Sequence, residues 1–211
     1  MIFDGMSAVF PAGEFSVIMG KSGVGKSSLL NLISGIDLPD AGSITIGPHR
    51  VSKMNDTQRT VFRRQHIGFV YQSFNLIPVL TVLENVTLVA ELDGVRPSVA
   101  RQTARLLLDK VGLSDRCHDH PDNLSGGEQQ RVAIVRSLVN DPTILLADEP
   151  TGNLDQETGG LVLKLLTDLA KNSGKTLIMV THSPEAIAYA DQVYVVSDHT
   201  LITRPGRPMG P

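Results

Sequence analysis

Short apolar runs and longer amphipathic segments alternate along most of the chain. Five of the apolar runs have the length and residue types of buried β-strands, at 14–19, 67–71, 143–147, 176–180 and 193–196. A shorter strand is predicted at 43–46. Because apolar strands that alternate with helices form parallel sheets covered on both faces, the pattern predicts an α/β fold.

Apolar residues at helical spacing mark the segments between these strands. The predicted helices lie at 26–34, 59–65, 82–92, 98–111, 125–139 and 158–171. Between 73 and about 139 three helices follow one another without a strand. We therefore expect one domain over 1–211, with a core at about 1–72 and 140–203, an inserted helical subdomain at about 73–139 and a frayed tail at 204–211.

Composition and charge restrict the function. Lysine and arginine number 19 against 22 aspartate and glutamate residues, so no overall positive charge attracts nucleic acid, and we expect no nucleic-acid partner. The single cysteine, Cys117, cannot form an internal disulfide bond, which is typical of a reducing compartment. No apolar run approaches the roughly 20 residues that cross a bilayer, and no signal segment opens the chain, so we expect a soluble, cytoplasmic protein.

Phosphate binding is indicated by residues 20–27, which fit the loop pattern G-x-x-x-x-G-K-[ST] between a predicted strand and a predicted helix. The glycines let backbone N–H groups surround phosphate oxygens, the lysine adds a full charge, and the serine hydroxyl can bind Mg²⁺. The alternative, a glycine-rich turn with an exposed lysine, is disfavoured by these flanks. The candidate residues, with the serine that follows the loop, are Gly20, Lys21, Ser22, Gly23, Val24, Gly25, Lys26, Ser27 and Ser28.

Two carboxylates follow the predicted strand at 143–147. Asp148 is expected at the carboxyl edge of the sheet, beside the phosphate loop, where it would hold Mg²⁺ directly or through water. Glu149 is the candidate general base that polarises a water molecule against the γ-phosphate. The alternative is that the two residues merely start a turn with Pro150.

The segment 124–128 reads LSGGE and opens a predicted helix. Ser125 and Glu128 fit a capping box, which explains this pair without further function. Gly126 and Gly127, however, expose backbone N–H groups at the start of a helix, where anions bind. The segment is therefore a candidate second phosphate site.

The phosphate loop, LSGGE and LLADEP at 145–150, in this order, resemble the motifs of ATP-binding-cassette (ABC) ATPases over nearly the whole chain. The resemblance implies a P-loop NTPase (RecA-like) core with a mainly parallel sheet and an inserted α-helical subdomain. It also implies that Ser125, Gly126, Gly127 and Glu128 offer a phosphate site to ATP bound by a second copy of the chain.

Three further residues match motifs of that family. Gln72 matches the Q-loop glutamine, which contacts Mg²⁺ or water; Asp155 lies in a match to the D-loop, which crosses the dimer interface; His182 matches the switch histidine, which contacts the γ-phosphate. Each also has a local explanation. Gln72 suits a strand end, Asp155 a helix N-cap and His182 a turn.

Residues 67–78 and 148–155 are similar to the branch of lipoprotein-release, macrolide-export and cell-division ATPases (MacB/LolD/FtsE-like). This resemblance implies that the chain hydrolyses ATP to ADP and phosphate with Mg²⁺, as a homodimer that powers an integral-membrane permease at the inner face of the cell membrane. Residues 74–81 would receive the permease, although their apolar side chains suit the core of the helical subdomain equally well.

The chain departs from the family pattern at two places. The family has an aromatic residue that stacks on adenine roughly two dozen residues before the phosphate loop, whereas this chain begins 19 residues before Gly20. We expect neither Phe3 nor Phe10 to replace it. Loss of one aromatic stack, which typically contributes about 1 kcal/mol of binding free energy, would weaken the affinity for ATP. Ser183 stands where aspartate commonly follows the histidine; Ser183 and Pro184 suit a helix start, so we expect little effect.

Two other functions compete with the transport role. A soluble ABC-type ATPase acting on nucleic acid or ribosomes usually has a coiled-coil insertion, tandem cassettes or basic arms, and the sequence contains none of these. A regulatory cassette that binds ATP without needing hydrolysis is disfavoured, because the expected catalytic residues are present.

Overall fold

A six-stranded sheet lies at the centre of the computed structural model, which describes residues 3–197 and 200–205. The strands are β1 (Phe15–Met19), β2 (Ile67–Tyr71), β3 (Ile144–Asp148), β4 (Thr176–Val180), β5 (Gln192–Ser197) and β6 (Thr200–Pro205). Their order across the sheet is β2-β3-β4-β1-β5-β6. The first five strands pair in parallel, and β6 runs antiparallel to β5 at one edge.

Six α-helices in the described residues surround or extend this sheet. They are α1 (Lys26–Ser34), α2 (Asp56–His66), α3 (Val82–Leu92), α4 (Pro97–Lys110), α5 (Gly126–Leu138) and α6 (Gln156–Asn172). Helices α2, α3 and α5 each begin with a capping box, in which the N-cap side chain and the third helical residue bond each other's backbone N–H groups. These local signals fix where the three helices start.

The sheet separates two apolar cores because successive strand residues point to opposite faces. On one face, Phe15 and Val17 of β1 belong to a cluster with Val162 and Leu166 of α6. On the other, Ile18 belongs to a cluster that includes apolar residues of α1. Both faces of the sheet are therefore covered, as the apolar strand sequences predict.

Helix α5 links the sheet to a third core formed with α3 and α4. Ile134 and Leu138 belong to the cluster under the sheet, whereas Val132 and Val135 of α5 and Val139, just beyond its end, belong to the cluster of the two other helices. This helix is therefore buried on two sides, and its position relative to the sheet is closely restricted. The division into a core and a helical subdomain remains a prediction.

Most predicted elements are confirmed, and several have the predicted bounds: β2, β4, α1 and α3. The predicted strand at 43–46 is wrong. Ile46 forms one isolated antiparallel bridge with His49, because the chain reverses at once through Gly47, whose φ is 53°, and Pro48. The prediction also missed β6, so residues 204 and 205 form strand where a frayed tail was expected; residues 206–211 lie outside the described residues.

Among the described residues, no helix combines the length and the apolar character needed to cross a membrane.

Candidate functional site

A cavity of about 600 Å³ lies at the carboxyl ends of the parallel strands and gathers most of the predicted site residues. The phosphate loop follows β1, Gln72 follows β2, Asp148 ends β3, and His182 lies just after β4. This edge of the sheet is where α/β folds bind ligands. The lining residues are Ser22, Gly23, Gly25, Lys26, Ser27, Ser28, Gln72, Asp148, Glu149 and His182.

The lysine of the phosphate loop forms hydrogen bonds to the backbone at the start of the same loop. Lys26 is 8% exposed, and its Nζ donates hydrogen bonds to the carbonyl oxygens of Gly20 at 2.9 Å and Lys21 at 3.1 Å. The helix α1 begins here after Gly25, which has a φ of 100° and no side chain to cap the first N–H groups. Free N–H groups and a buried ammonium at a helix start can bind a polyanion.

A hydroxyl and a carboxylate that could bind Mg²⁺ lie together at the end of this loop. The Ser27 hydroxyl donates to Asp148 Oδ1 at 3.1 Å. Burial raises the pKa of Asp148, the Ser27 hydrogen bond opposes this, and the charge of Glu149 adds to the increase. Mg²⁺ is commonly held by one or two carboxylates together with substrate phosphates, so a hydroxyl and a carboxylate at this separation fit it chemically.

Glu149 is held between two cationic or potentially cationic groups. Its Oε2 lies 2.9 Å from His182 Nδ1 and accepts a hydrogen bond from the His182 backbone N–H at 3.2 Å. Its Oε1 lies 3.9 Å from Lys26 Nζ. The backbone of Glu149 has a φ of 45° and its N–H donates to the Val180 carbonyl at 2.9 Å. A non-glycine residue in this conformation is a feature that often accompanies functional sites.

Gln72 pairs with a residue that sequence reasoning did not assign to it. Its Nε2 donates to Asn153 Oδ1 at 3.1 Å, and Asn153 Nδ2 donates to the Gln72 carbonyl at 3.0 Å. The approach is close at Gly152, where an added Cβ would lie 2.8 Å from Gln72 Nε2. The two residues are 81 positions apart, and no sequence signal marks them as a pair.

The segment 125–128 does not line the cavity. The Glu128 carboxylate accepts hydrogen bonds from the Ser125 hydroxyl at 2.7 Å and the Ser125 backbone N–H at 2.8 Å, and these two bonds lower the pKa of Glu128. The Ser125 hydroxyl in turn accepts from the Glu128 N–H at 3.3 Å. An added Cβ at Gly127 would lie 2.5 Å from Thr158 Cγ2, so α5 and α6 approach closely here. Ser125 itself is exposed. The capping box accounts for the local structure but leaves this surface free to meet another molecule.

Asp155 serves as the N-cap of α6 by accepting from the Thr158 N–H at 3.0 Å, which lowers the pKa of Asp155. It lines a second cavity, of about 230 Å³, together with Glu149 and His182. Asp155 is therefore near the first cavity without lining it.

Gly20, Lys21 and Val24 take part in the loop without lining the larger cavity in the described structure. Phe10 packs against Tyr194 with ring centroids 4.9 Å apart, and Phe3 contacts the same apolar cluster. Neither phenylalanine is among the described residues that line the cavity.

Comparison with known proteins identifies relatives over nearly the whole chain. The model of a family described as ABC transporter matches residues 3–152. An ABC transporter ATP-binding protein of Mycobacterium tuberculosis is 52% identical over 206 residues, which are 98% of this chain and 83% of the relative. The lipoprotein-releasing system ATP-binding protein LolD of Saccharophagus degradans is 44% identical over 193 residues, 92% of this chain and 85% of that protein.

Two solved structures of one ABC transporter cassette are also similar to this chain. The dimeric structure of MJ0796, a bacterial ABC transporter cassette, superposes with a TM-score of 0.88 at 38% identity and covers 99% of this chain and 92% of that one. A dimeric post-hydrolysis state of the same cassette, bound to ADP and Pi, has a TM-score of 0.88 at 37% identity, with the same coverage of both chains.

Proposed function

This chain belongs to the ABC transporter family of ATPases, and on that premise we propose that it is the ATP-hydrolysing subunit that powers a membrane permease of the export or lipoprotein-release type. The observation that carries the proposal is the convergence of Lys26, Gln72, Asp148, Glu149 and His182 on one cavity. A phosphate loop, an acidic metal ligand, a candidate base and its partner are the parts that phosphoryl transfer to water requires.

The phosphates of ATP bind to the N–H groups of the loop, and Lys26 exchanges its two carbonyl acceptors for phosphate oxygens. Ser27, Asp148 and Gln72 would hold Mg²⁺, which neutralises charge on the phosphates. Glu149 accepts a proton from the attacking water, and His182 keeps the carboxylate in place and contacts the γ-phosphate.

We propose that two copies sandwich two ATP molecules head to tail. Ser125, Gly126, Gly127 and Glu128 of one copy would meet the ATP held by the loop of the other, with Asp155 at the interface. The exposure of Ser125 and its absence from the cavity of its own chain support this arrangement. The loss of the γ-phosphate contact on hydrolysis would then release the closed dimer.

The membrane partner is proposed from the relatives named LolD and from one surface. Ile77 and Val79, just past Gln72, are 39% and 80% exposed. An apolar surface beside the ATP cavity suits a protein partner better than a nucleic acid, for which the net charge of −3 is unfavourable. The chain would then work at the cytoplasmic face of the membrane.

A photo-crosslinking amino acid at Val79 tests this proposal in the protein's own cells. We expect it to capture an integral-membrane protein, whereas the same group at Leu161, which is 63% exposed on α6, should not. Capture of ribosomal protein or nucleic acid at Val79 would contradict the membrane role.

A further inference from the structure

The bend that follows Gln72 contains two consecutive strained residues. Phe74 has a φ of 56° and Asn75 a φ of 52°. Residues with a Cβ seldom adopt this left-handed conformation, and two in succession are less common still. Because such strain persists only where the surroundings hold it, the contacts of this bend identify what maintains it.

Arg136, in the last turn of α5, holds the bend. One guanidinium nitrogen donates to the Phe74 carbonyl at 2.7 Å, and the other donates to the Asn75 carbonyl. The planar guanidinium presents two parallel donors, and two successive carbonyls in the left-handed conformation accept both. Burial lowers the pKa of Arg136, and nearby Tyr71 opposes this decrease.

Helix α5 also holds the other side of Gln72. The fully buried Gln130 donates from Nε2 to the carbonyls of Tyr71 at 3.3 Å and Pro150 at 2.5 Å. Tyr71 immediately precedes Gln72, and Pro150 immediately follows Glu149. The same helix therefore fixes the backbone before and after Gln72.

The bend also reaches the start of α5. An added Cβ at Gly126 would lie 3.7 Å from Phe74 Cζ and 3.2 Å from Leu154 Cδ2. The Phe74 ring thus lies beside the LSGGE segment, while its carbonyl is held by Arg136 ten residues further along the same helix. A change in the bend would move the ring and Gln72 together.

We propose that Arg136 is a positioning residue for ATP hydrolysis: it holds Phe74 and Asn75 in their left-handed conformation and thereby keeps Gln72 at the cavity. This inference rests on the proposed role of Gln72 in the ATP site. Arg136 would act through Gln72, because it is not among the described residues that line the cavity and its guanidinium donates to the carbonyls of Phe74 and Asn75.

Phosphate-release kinetics on the full chain test the proposal with Arg136→Met, Arg136→Lys, Gln72→Ala and the double variant Gln72→Ala/Arg136→Met. Arg136→Met should lower kcat about tenfold or more through displacement of Gln72, with little change in ATP affinity by calorimetry. Arg136→Lys should restore part of the loss, because an ammonium can reach one carbonyl. Arg101→Met, which removes an exposed charge from α4, is the control and should leave kcat unchanged.

The double variant separates positioning from a general structural role. In the Gln72→Ala background, Arg136→Met should change kcat by less than about twofold, because the group through which it acts is absent. An equal fractional loss of kcat in both backgrounds would overturn the proposal, and so would an unchanged kcat in Arg136→Met.

Three further outcomes distinguish the role of Gln72 from that of Arg136. If Arg136→Met does not fold, Arg136→Lys replaces it in both backgrounds, and the same comparison decides. If Gln72→Ala alone leaves kcat unchanged, the proposed role of Gln72 fails. If Gln72→Ala lowers kcat and the two effects multiply, the role of Gln72 stands and only the role of Arg136 fails.

Discussion

Nδ1 of His182 lies 2.9 Å from Oε2 of Glu149, and the backbone N–H of His182 donates to the same oxygen at 3.2 Å. The side chain of Glu149 is 15% exposed, whereas that of His182 is 72% exposed. The histidine therefore approaches the carboxylate from the solvent side, while the buried Lys26 Nζ lies 3.9 Å from the other carboxylate oxygen, Oε1. These contacts set the position of Glu149 before any reaction begins.

His182→Ala should retain ATP binding but lower kcat about tenfold or more, because Glu149 loses the side chain that orients it. Phosphate release and calorimetry on the same samples measure the two effects. Ser183→Ala is the matched control, since Ser183 follows His182 directly and does not line the larger cavity. An unchanged kcat in His182→Ala would refute the orienting role.

Lys26→Ala should weaken ATP binding by about 2 kcal/mol or more, because a charged donor to phosphate is lost. Lys21→Ala should bind ATP normally, since the exposed Lys21 contributes its backbone carbonyl to the loop. Calorimetry with ATP and Mg²⁺ compares the two variants. Equal affinities in both would count against the phosphate-loop assignment.

Two glycine substitutions should change stability in opposite directions. Gly68→Ala should destabilise the fold by about 1–3 kcal/mol, since its Cβ would lie 2.2 Å from the Ser137 carbonyl oxygen and 2.6 Å from Leu145 Cδ2. Gly160→Ala should stabilise α6 by about 0.5–1 kcal/mol, because its Cβ meets no atom within 4 Å among the described residues. Urea denaturation measures both, and a neutral Gly68→Ala would contradict the close packing of β2 on α5.

Asp148 and Asp155 should affect stability with opposite sign. Burial raises the pKa of Asp148, so its charged form costs stability once the pH rises above the unfolded-state value, and Asp148→Asn should raise Tm at pH 7. A hydrogen bond from the Thr158 N–H lowers the pKa of Asp155. The charged Asp155 side chain therefore stabilises the fold at pH 7, and this contribution is lost as the pH falls through the folded-state pKa. Asp155→Asn should accordingly lower Tm at pH 7.

Thermal melts at pH 7 and at about pH 3 test this pair. The acidic end protonates the unfolded-state carboxyls and folded Asp148, whose pKa is raised, before folded Asp155, whose pKa is lowered. Both differences in Tm should shrink at low pH. If Asp148→Asn lowers Tm at pH 7, as expected for Asp155→Asn, then burial is not the main effect on the contribution of Asp148 to stability.

Much of the fold follows from local patterns in the sequence. The apolar runs predict the parallel strands, and apolar residues at helical spacing predict helices α1 to α6, because each signal depends on residues within one element. The strand predicted at 43–46 fails since Gly47 and Pro48 reverse the chain before a partner strand can pair. Strand β6 has an exposed Ile202 and pairs at the sheet edge, so its sequence lacks the continuous apolar run of the central strands.

The site is predictable where a motif is contiguous and less so where it depends on distant contacts. Residues 20–27 match the phosphate-loop motif, and Asp148 and Glu149 follow an apolar run that predicts a strand. Tertiary packing sets three features of the site. Gln72 pairs with Asn153, Glu149 adopts a left-handed conformation, and Arg136 donates hydrogen bonds to the bend after Gln72. No spacing rule in the sequence encodes them.

The association state of Glu149→Gln with ATP and Mg²⁺, followed by light scattering, tests the central claim most directly. With the candidate base removed and the loop intact, ATP should bind, persist and hold two copies together, so the mass should double with ATP and return to that of one copy with ADP. A Glu149→Gln protein that stays monomeric with ATP and releases phosphate at the wild-type rate would contradict it.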